Sequence, residues 1–442
     1  MTGALSVLLS DTVRPNRLHE VGWLMAYMDA GSQEGPPIFL SLGETWERTP
    51  QALLELLGRA PRHVHGYHIA MGGYPPLRQK LHKLLERDYS LQPDWHSCGR
   101  YEVGVCATGT RSLMYDYARY LAKHHVAGRR PVLLTFAPAW DYAGPFRAAG
   151  FTPQFLSLLP EHGFVPVLAE VLESVDAVGR DPGTAAVFAL NTQQNPTAQN
   201  LSPELVTRLL AALVERKIPI LIDDAYFAVT APETEPTCAM RILLQLLDDA
   251  GQDQPRYPWL LVRSLGKQFS CNGWGIGVAA APPALLEELF NEWQPHHHYN
   301  INGLFQHALA EWLESPDAES YTQTQRGDIQ ENRHRFLQLL QDQLGYPDTV
   351  RSLDGTCTSF QLFPIPLRYA GQPQGAQRFV EDCVRRAGVL FTDAWPVPYN
   401  RGQDLLEYDF SRVFLAARKG ALEEAVHRME KVGLFYGDTR PC

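Results

Sequence analysis

Lys267 stands between an apolar run and a glycine-containing loop. The run WLLVRSLG leads into it, and the stretch SLGKQFSCNGWGIG covers residues 264–277. The apolar run predicts a buried strand, and a lysine is rarely buried without a partner or a purpose. We therefore interpret Lys267 as an amine held to form an imine with a carbonyl compound.

Polar and aromatic side chains follow the other apolar runs in the middle of the chain. They are Thr108, Gly109 and Thr110 after VGVCA, Trp140 after LLTFAP, Asn195 after VFALN, and Asp223, Asp224 and Tyr226 after IPILI. Ligands of α/β sheets collect at the carboxyl ends of the strands, so we expect these side chains to meet. Taken singly, the TGT sequence also fits a helix start, Trp140 core packing, and Asn195 an Asn-Pro turn.

As a set, these residues match the polar edges of pyridoxal 5′-phosphate. Small and hydroxyl residues at a helix N-terminus suit its phosphate, and Trp140 suits the face of its ring. A carboxylate at the end of a buried strand costs free energy unless a cation meets it, and the protonated ring nitrogen would be that cation for Asp223. Lys267 would meet the aldehyde.

The elements that position these residues alternate between apolar runs and segments of helical period. SPELVTRLLAALVERK, for example, opens with a serine N-cap and a proline at the first helical position. Apolar strands separated by helices predict an α/β fold with a parallel sheet covered on both faces. From about residue 326 the pattern changes to that of a smaller α+β domain, with a long amphipathic helix and strands at TCTSFQLFPIP and SRVFLAA.

The motif order TGT, PAW, NPT, DDAY, SLGK, GWGIG and SR resembles that of the fold-type I aminotransferases of classes I and II, over most of the chain. The resemblance implies a large domain with a mostly parallel, seven-stranded sheet flanked by helices. On this basis we expect an N-terminal segment at residues 1–45 that packs with the small domain. The large cofactor-binding domain would then cover residues 46–325, and the small α+β domain residues 326–442.

The resemblance also implies roles for single residues toward the cofactor. Lys267 would be the Schiff-base lysine, and Asp223 the partner of the pyridine nitrogen. Tyr226 and Asn195 would contact the 3′-oxygen. The remaining implied contacts are Trp140 on the ring face, Thr108, Gly109, Thr110 and Ser264 on the phosphate, and Tyr67 on the phosphate bound by a neighbouring subunit.

Substrate roles follow from the same resemblance. Arg412, in SRVFLAA, would grip the α-carboxylate of an L-amino acid, for which the bidentate geometry of a guanidinium is suited. Asn195, Gly43 in the covering segment LSLGETW, and Tyr299 after the lysine would also contact the substrate. Glu44, beside Gly43, is better explained as a solvated turn residue. A homodimer with shared active sites is implied as well.

Three positions depart from the family pattern. Gly275 stands where the family has a phosphate-binding arginine, Ala198 where NPT is followed by glycine, and Gly266 where a serine often precedes the lysine. Loss of the arginine removes a charge-assisted contact of about 1.5–3 kcal/mol, which Arg111 or Arg263 would have to replace. The departures leave the reaction type open. Amino transfer is the first interpretation, and elimination or cyclisation of a specialised, arginine-like amino acid is the alternative.

Composition argues against several other functions. The net charge of −10 is unsuited to nucleic-acid binding, and no run of eighteen apolar residues exists that could span a membrane. The seven scattered cysteines form no CxxC pair, so neither a disulfide framework nor a zinc site is predicted, and a reducing cytoplasm fits best. The N-terminus lacks the basic start of a signal peptide.

Three further patterns are discounted. Consecutive histidines, His296 to His298, point in different directions on any regular element, so we predict a substrate-pocket loop and no metal. The sequence GWGIG leads into a strand-like run, which argues against a dinucleotide-binding loop. An aminotransferase-like sensor module would need a basic DNA-binding head, but the catalytic pattern already begins by about residue 40.

Overall fold

The computed structural model describes residues 19–31, 34–41, 43, 45–68, 70–250, 257–394 and 408–437. Its strands are β1 Ile38–Phe39, β2 Glu102–Cys106, β3 Arg130–Ala137, β4 Thr152–Ser157, β5 Thr184–Leu190, β6 Ile220–Asp223, β7 Trp259–Ser264, β8 Gly277–Ala281, β9 Phe360–Pro364, β10 Val389–Leu390, β11 Thr392–Asp393 and β12 Phe410–Phe414.

Its α-helices are α1 His19–Asp29, α2 Gln51–Gly58, α3 Pro75–Tyr89, α4 Asp94–Ser97, α5 Thr110–Leu121, α6 Ala143–Ala148, α7 Leu168–Arg180, α8 Pro203–Glu215, α9 Ala239–Asp249, α10 Leu265–Phe269, α11 Pro283–Glu288, α12 Gly303–Trp312, α13 Pro316–Leu344, α14 Gly375–Asp382 and α15 Ala421–Lys431. No helix in these ranges is both long and apolar enough to cross a membrane.

Seven strands form the central sheet, in the order β2-β8-β7-β6-β5-β3-β4. Strand β8 runs antiparallel to both of its neighbours, and the other four pairings are parallel. The predicted α/β class and mostly parallel sheet are therefore confirmed. Strand β4 was not predicted, because it lies at the sheet edge and TPQFLS alternates between exposed and half-buried residues instead of forming an apolar run.

Helices cover both faces of this sheet, as continuous apolar strands require. Successive residues of β3 show the alternation: Val132 and Leu134 join one apolar cluster, while Leu133 between them joins the cluster on the opposite face. The first face is packed mainly by α3, α8 and α9, and the second by α5 and α11.

A third apolar cluster lies in the C-terminal part of the chain, around the antiparallel sheet β11-β12-β9. Leu24 and Leu40 of the N-terminal part belong to this cluster, and β1 pairs in parallel with β10. The predicted boundary between residues 325 and 326 falls inside α13, a continuous helix of 29 residues. The three-part division of the chain thus stays a proposal.

One edge of the central sheet collects the residues that the sequence singled out. Strands β2, β3, β5, β6 and β7 all run in the same direction, so their carboxyl ends share that edge. The segments that follow them carry the TGT loop, Trp140, Asn195, the DDAY sequence and Lys267. This edge is where ligands of such sheets bind.

Candidate active site

Asp223 ends strand β6 as a buried carboxylate, with 5% of its surface exposed. Tyr142 Oη donates to its Oδ2 at 2.8 Å, and the backbone N–H of Ala225 donates to its Oδ1 at 3.1 Å. Burial raises the pKa of Asp223 to about 6, although both donors and the charge of Lys267 oppose that shift. The carboxylate therefore still gains from a cation placed against it.

Tyr142 is a site residue that the sequence analysis missed. It lies two positions beyond Trp140, after the same strand β3, and the two rings pack edge to face with centroids 5.6 Å apart. Its distance of two residues from the expected stacking residue was the available signal. Trp140, Tyr142 and Asp223 thus form one connected set of contacts.

Lys267 lies on α10, which begins directly after strand β7. Ser264 caps this short helix, its Oγ accepting the backbone N–H of Lys267 at 3.4 Å. The Lys267 ammonium is close enough to Asp223 for its charge to lower the pKa of that carboxyl. The predicted amine and the predicted acid are therefore in the same site.

The turn that carries Lys267 is held from the side of α13. Ser270 is fully buried and has a left-handed backbone, with φ of 53°. Its Oγ receives hydrogen bonds from Tyr321 Oη at 2.5 Å and from Gln325 Nε2 at 3.1 Å. These contacts fix the backbone beside Lys267.

Asn272 ties the same turn to the N-terminal segment. Its Nδ2 donates to the carbonyl oxygen of Gly43 at 2.9 Å and to Thr45 Oγ1 at 3.2 Å. A Cβ on Gly266 would lie 2.9 Å from Asn272 Cα, so the glycine before the lysine makes room for this side chain. Sequence reasoning noted Gly266 as a departure but did not connect it with Asn272.

Arg412 is buried, with 3% of its surface exposed. Its guanidinium donates to Asn195 Oδ1 at 3.0 Å, to the carbonyl oxygen of Ser41 at 2.8 Å and to Thr392 Oγ1 at 3.0 Å. Its Cζ lies 3.8 Å from the centroid of the Phe360 ring. Within the described ranges no carboxylate pairs with Arg412, and burial lowers its pKa to about 10.

Asn195 is oriented by that contact. A guanidinium only donates hydrogen bonds, so the amide oxygen of Asn195 must face Arg412. The amide N–H₂ end is then left to donate elsewhere in the site, as a contact with a ring oxygen requires. Tyr226, 4% exposed, lies close enough to both Arg412 and Asp223 for their charges to act on its pKa.

Gly43 lies over the Phe360 ring, beside Arg412. It has φ of 69°, and a Cβ there would approach the ring to 2.8 Å. Only a residue without a side chain fits between this segment and the ring. Glu44, its neighbour in the sequence, lies outside the described residues.

The predicted phosphate loop begins helix α5. Gly109 has φ of 83°, and its N–H donates to the carbonyl oxygen of Gly275 at 2.5 Å. The Thr108 hydroxyl forms a 2.6 Å hydrogen bond with Ser112 Oγ. Gly275 itself has φ of 64°, a left-handed conformation that an arginine adopts only with strain.

Ala198, the third departure, also has a left-handed backbone, with φ of 61°. This conformation favours the glycine that the family has there. Gly355 packs directly on Ala198, since a Cβ on Gly355 would lie 2.3 Å from the Ala198 Cβ. The alanine methyl is thus accommodated by a glycine from another part of the chain.

Two predicted residues lie on the surface of the single chain. Tyr67 is 82% exposed and Tyr299 is 66% exposed. Their segments are neighbours, because the N–H of His68 donates to Asn300 Oδ1 at 3.3 Å. Their contacts with cofactor and substrate stay predictions.

The loop that contains His296 to His298 is fastened to α5. His297 Nε2 lies 2.9 Å from both carboxylate oxygens of the buried Asp116. Among the described residues, no group of three or more His, Cys, Asp or Glu side chains has the arrangement of a metal site.

The arrangement as a whole fits pyridoxal 5′-phosphate. Asp223 offers a carboxylate to a ring N–H, Asn195 offers an amide donor, and Lys267 offers an amine close to Asp223. The Gly109 N–H is occupied by the Gly275 carbonyl oxygen, so the N–H groups that follow it at the N-terminus of α5 would meet an anion.

Comparison with known proteins identifies relatives. Residues 104–361 match the family described as Aminotransferase class I and II. An aspartate aminotransferase of Pyrococcus horikoshii is 23% identical over 89% of this chain and 90% of its own. An aspartate aminotransferase of Geobacillus stearothermophilus is 24% identical, with the same coverage. The solved structure of a Thermus thermophilus aspartate aminotransferase with maleate shares the fold, with a TM-score of 0.74 at 20% identity over 96% of this chain and 98% of that one.

Proposed function

Since the chain belongs to the class I and II aminotransferase family, whose members use pyridoxal 5′-phosphate, we propose that it transfers the amino group of an L-amino acid with a free α-carboxylate to a 2-oxo acid. Lys267 is the amine that binds the cofactor aldehyde, and Arg412 binds the α-carboxylate. The resemblance, the enzyme class and the cofactor inferred from the sequence are confirmed by these comparisons.

The observation that carries the substrate assignment is the environment of Arg412. Its guanidinium is buried, and its described hydrogen bonds go to three neutral oxygens. A buried cation is costly unless a charge compensates it, and a substrate carboxylate would provide that charge. Arg412 is also bonded to Asn195, so the carboxylate would lie beside the residues assigned to the cofactor.

When bound, pyridoxal 5′-phosphate supplies an aldehyde for the amine of Lys267 or of the substrate and a ring that accepts electrons. Asp223 keeps the ring nitrogen protonated, and Tyr142 and the Ala225 N–H hold that carboxylate in place. Asn195 and Tyr226 orient the ring at its 3′-oxygen. Trp140 would lie against a face of the ring.

Lys267 would have a second role as a general base. As a free amine it would take the proton from the substrate Cα and hold it for return. The hydrogen bonds to Ser270 and to the Lys267 backbone keep the base at a fixed position. Gly43 and Phe360 shield the carboxylate end from water.

The test follows the nitrogen atom. Purified protein with pyridoxal 5′-phosphate is given ¹⁵N-labelled L-amino acids singly, L-aspartate first, together with 2-oxoglutarate. Appearance of ¹⁵N-glutamate supports amino transfer, and Lys267→Ala should abolish it. Release of ¹⁵N-ammonia or of a cyclised product without labelled glutamate would overturn the proposal in favour of elimination or cyclisation. Full turnover by Lys267→Ala would refute the role of that lysine.

We also propose a cytoplasmic homodimer in which Tyr67 reaches the partner's site and Tyr299 contacts the substrate near the subunit interface. The exposure of both rings on neighbouring segments supports this, because adjoining exposed apolar groups mark surfaces that bind a partner. Lys267→Ala and Tyr67→Phe protomers should complement each other when mixed, since a hybrid dimer regains one site that is intact at both positions. A monomer by light scattering, or no recovery in an exchanging dimer, would contradict the proposal.

A further inference from the structure

Gly275 leaves the phosphate end of the site without the arginine of the family pattern, so another cation must meet the phosphate or none does. Two arginines are sequence neighbours of predicted phosphate-binding residues: Arg111 follows Thr110, and Arg263 precedes Ser264.

Arg263 is 1% exposed, and its Nη2 is bonded to Asp88 Oδ2 at 2.7 Å and to Gln268 Oε1 at 2.8 Å. Its Nε and Nη1 have no hydrogen-bond partner among the described residues, but its Cζ lies 5.6 Å and 5.3 Å from the centroids of the Tyr89 and Phe227 rings. The guanidinium is therefore enclosed by these rings and Asp88.

Arg111 has a different environment, in the first turn of α5. Its Nη1 donates to Asp141 Oδ2 at 2.7 Å, and its Cζ lies 4.5 Å from the centroid of the Trp140 ring. The Asp141 side chain is 2% exposed, whereas that of Arg111 is 41% exposed. A buried carboxylate thus aims an accessible guanidinium across the face of the predicted stacking residue.

The guanidinium retains donors for a second anion. It has five N–H groups, and among the described residues Asp141 is its one hydrogen-bond acceptor. Asp141 also accepts the N–H of Gly144 at 2.7 Å, so its charge is shared with that backbone group. Arg111 and Gly109 are two residues apart, and Gly109 is held against Gly275, which places Arg111 at the same helix start as the phosphate loop.

We propose that Arg111, oriented by Asp141 and stacked on Trp140, is the side-chain cation that binds the phosphate group of the cofactor in this protein. This extends the proposed function, because it assigns a phosphate contact that the family places at another position. The contact compensates for Gly275 and joins the phosphate loop to the ring-stacking residue through one side chain.

The test compares cofactors with and without phosphate. Dissociation constants of pyridoxal 5′-phosphate and of pyridoxal are measured by absorbance with wild type, Arg111→Gln, Arg111→Lys and Arg119→Gln. Arg119 is the matched control: it lies on the same helix, and its guanidinium is also stacked on an aromatic ring, that of Trp293 at 4.7 Å.

We expect Arg111→Gln to weaken pyridoxal 5′-phosphate binding by about 10- to 150-fold, the range of a hydrogen bond to a charged group, and to leave pyridoxal binding within about threefold. The dissociation constant of pyridoxal 5′-phosphate for Arg111→Lys should lie between those of wild type and Arg111→Gln. Arg119→Gln should change the dissociation constant of neither compound. Equal weakening of both compounds would overturn the proposal, since Arg111 would then act only through Trp140. Unchanged binding of both would overturn it as well. If wild type did not prefer pyridoxal 5′-phosphate over pyridoxal, the cofactor assignment itself would be wrong. The wild-type measurement therefore separates failure of the cofactor assignment from failure of the Arg111 proposal.

Discussion

Replacement of Arg412 by glutamine tests whether its buried charge exists for the substrate. Burial lowers the pKa of Arg412 to about 10, and this shift from the ordinary value corresponds to a penalty of about 3 kcal/mol for the buried cation. The three hydrogen bonds of its guanidinium to neutral oxygens offset about 1 kcal/mol each. The protein without substrate therefore gains little net stability from this charge, and we expect Arg412→Gln to change the free energy of unfolding by no more than about 1 kcal/mol.

The effect on the reaction should be much larger. Removing one partner of a desolvated, hydrogen-bonded charge pair costs about 2–5 kcal/mol, or roughly 30- to several thousand-fold in kcat/KM. The loss should apply to an amino acid with a free α-carboxylate and not to its α-amide. The assay compares kcat/KM for the best amino-acid substrate and for that amide, alongside urea unfolding of the cofactor-free protein.

Arg333 provides the matched control. It is also buried, and burial also lowers its pKa to about 10. Its guanidinium, however, makes five hydrogen bonds, three of them to backbone carbonyl oxygens of residues 357, 358 and 360. Arg333→Gln should therefore lose about 2 kcal/mol or more of stability and leave the preference for the free carboxylate unchanged. The reasoning is refuted if Arg412→Gln unfolds as readily as Arg333→Gln, or if it affects the amide as much as the acid.

Three further outcomes are expected. The pKa of Asp223 is about 6 without cofactor, and a protonated ring nitrogen would lower it. The affinity for the cofactor should therefore reach its maximum above pH 6 and fall by up to about tenfold per pH unit below it. A flat profile between pH 5 and 7, or the same slope in Asp223→Asn, would contradict this. Tyr142→Phe removes a donor to the carboxylate and should move the fall-off to higher pH, as measured by the same titration; a shift to lower pH would exclude the role of Tyr142. Gly266→Ser would place a Cβ 2.9 Å from Asn272 Cα and should destabilise the protein by about 1–3 kcal/mol. Because Asn272 holds Gly43, this variant should also raise the substrate KM. Gly273→Ser is the control: it lies in the same turn with nothing within 4 Å of its Cβ, and it should change neither quantity.

The sequence by itself predicted the elements that bury continuous apolar runs. Strands β3, β5, β6 and β7 are such runs, and polar residues directly after them were recognisable because parallel strands end at one edge of a sheet. The sequence alone therefore predicted that the amine of Lys267, the carboxylate of Asp223 and the phosphate loop lie at the same edge of the sheet. Strand β4 escaped because an edge strand needs no apolar run.

Contacts between residues far apart in the chain were decided only by the tertiary structure. Arg412 meets Asn195 and Ser41, and Asn272 meets Gly43, across separations of more than two hundred residues. No local pattern encodes such pairs. The orientation of Asn195 follows from these contacts, as does the charge of Arg412, which no carboxylate in the described part of the chain pairs.

The three departures show the same division. In the sequence, Gly275, Ala198 and Gly266 were only mismatches with a family pattern. The structure adds that Gly275 and Ala198 have left-handed backbones and that Gly266 makes room for Asn272. Residue types and spacing thus determined which chemistry the chain can perform, because chemistry depends on functional groups. Which groups form ion pairs, hydrogen bonds or close contacts depends on packing, and packing is determined only when distant segments of the chain meet.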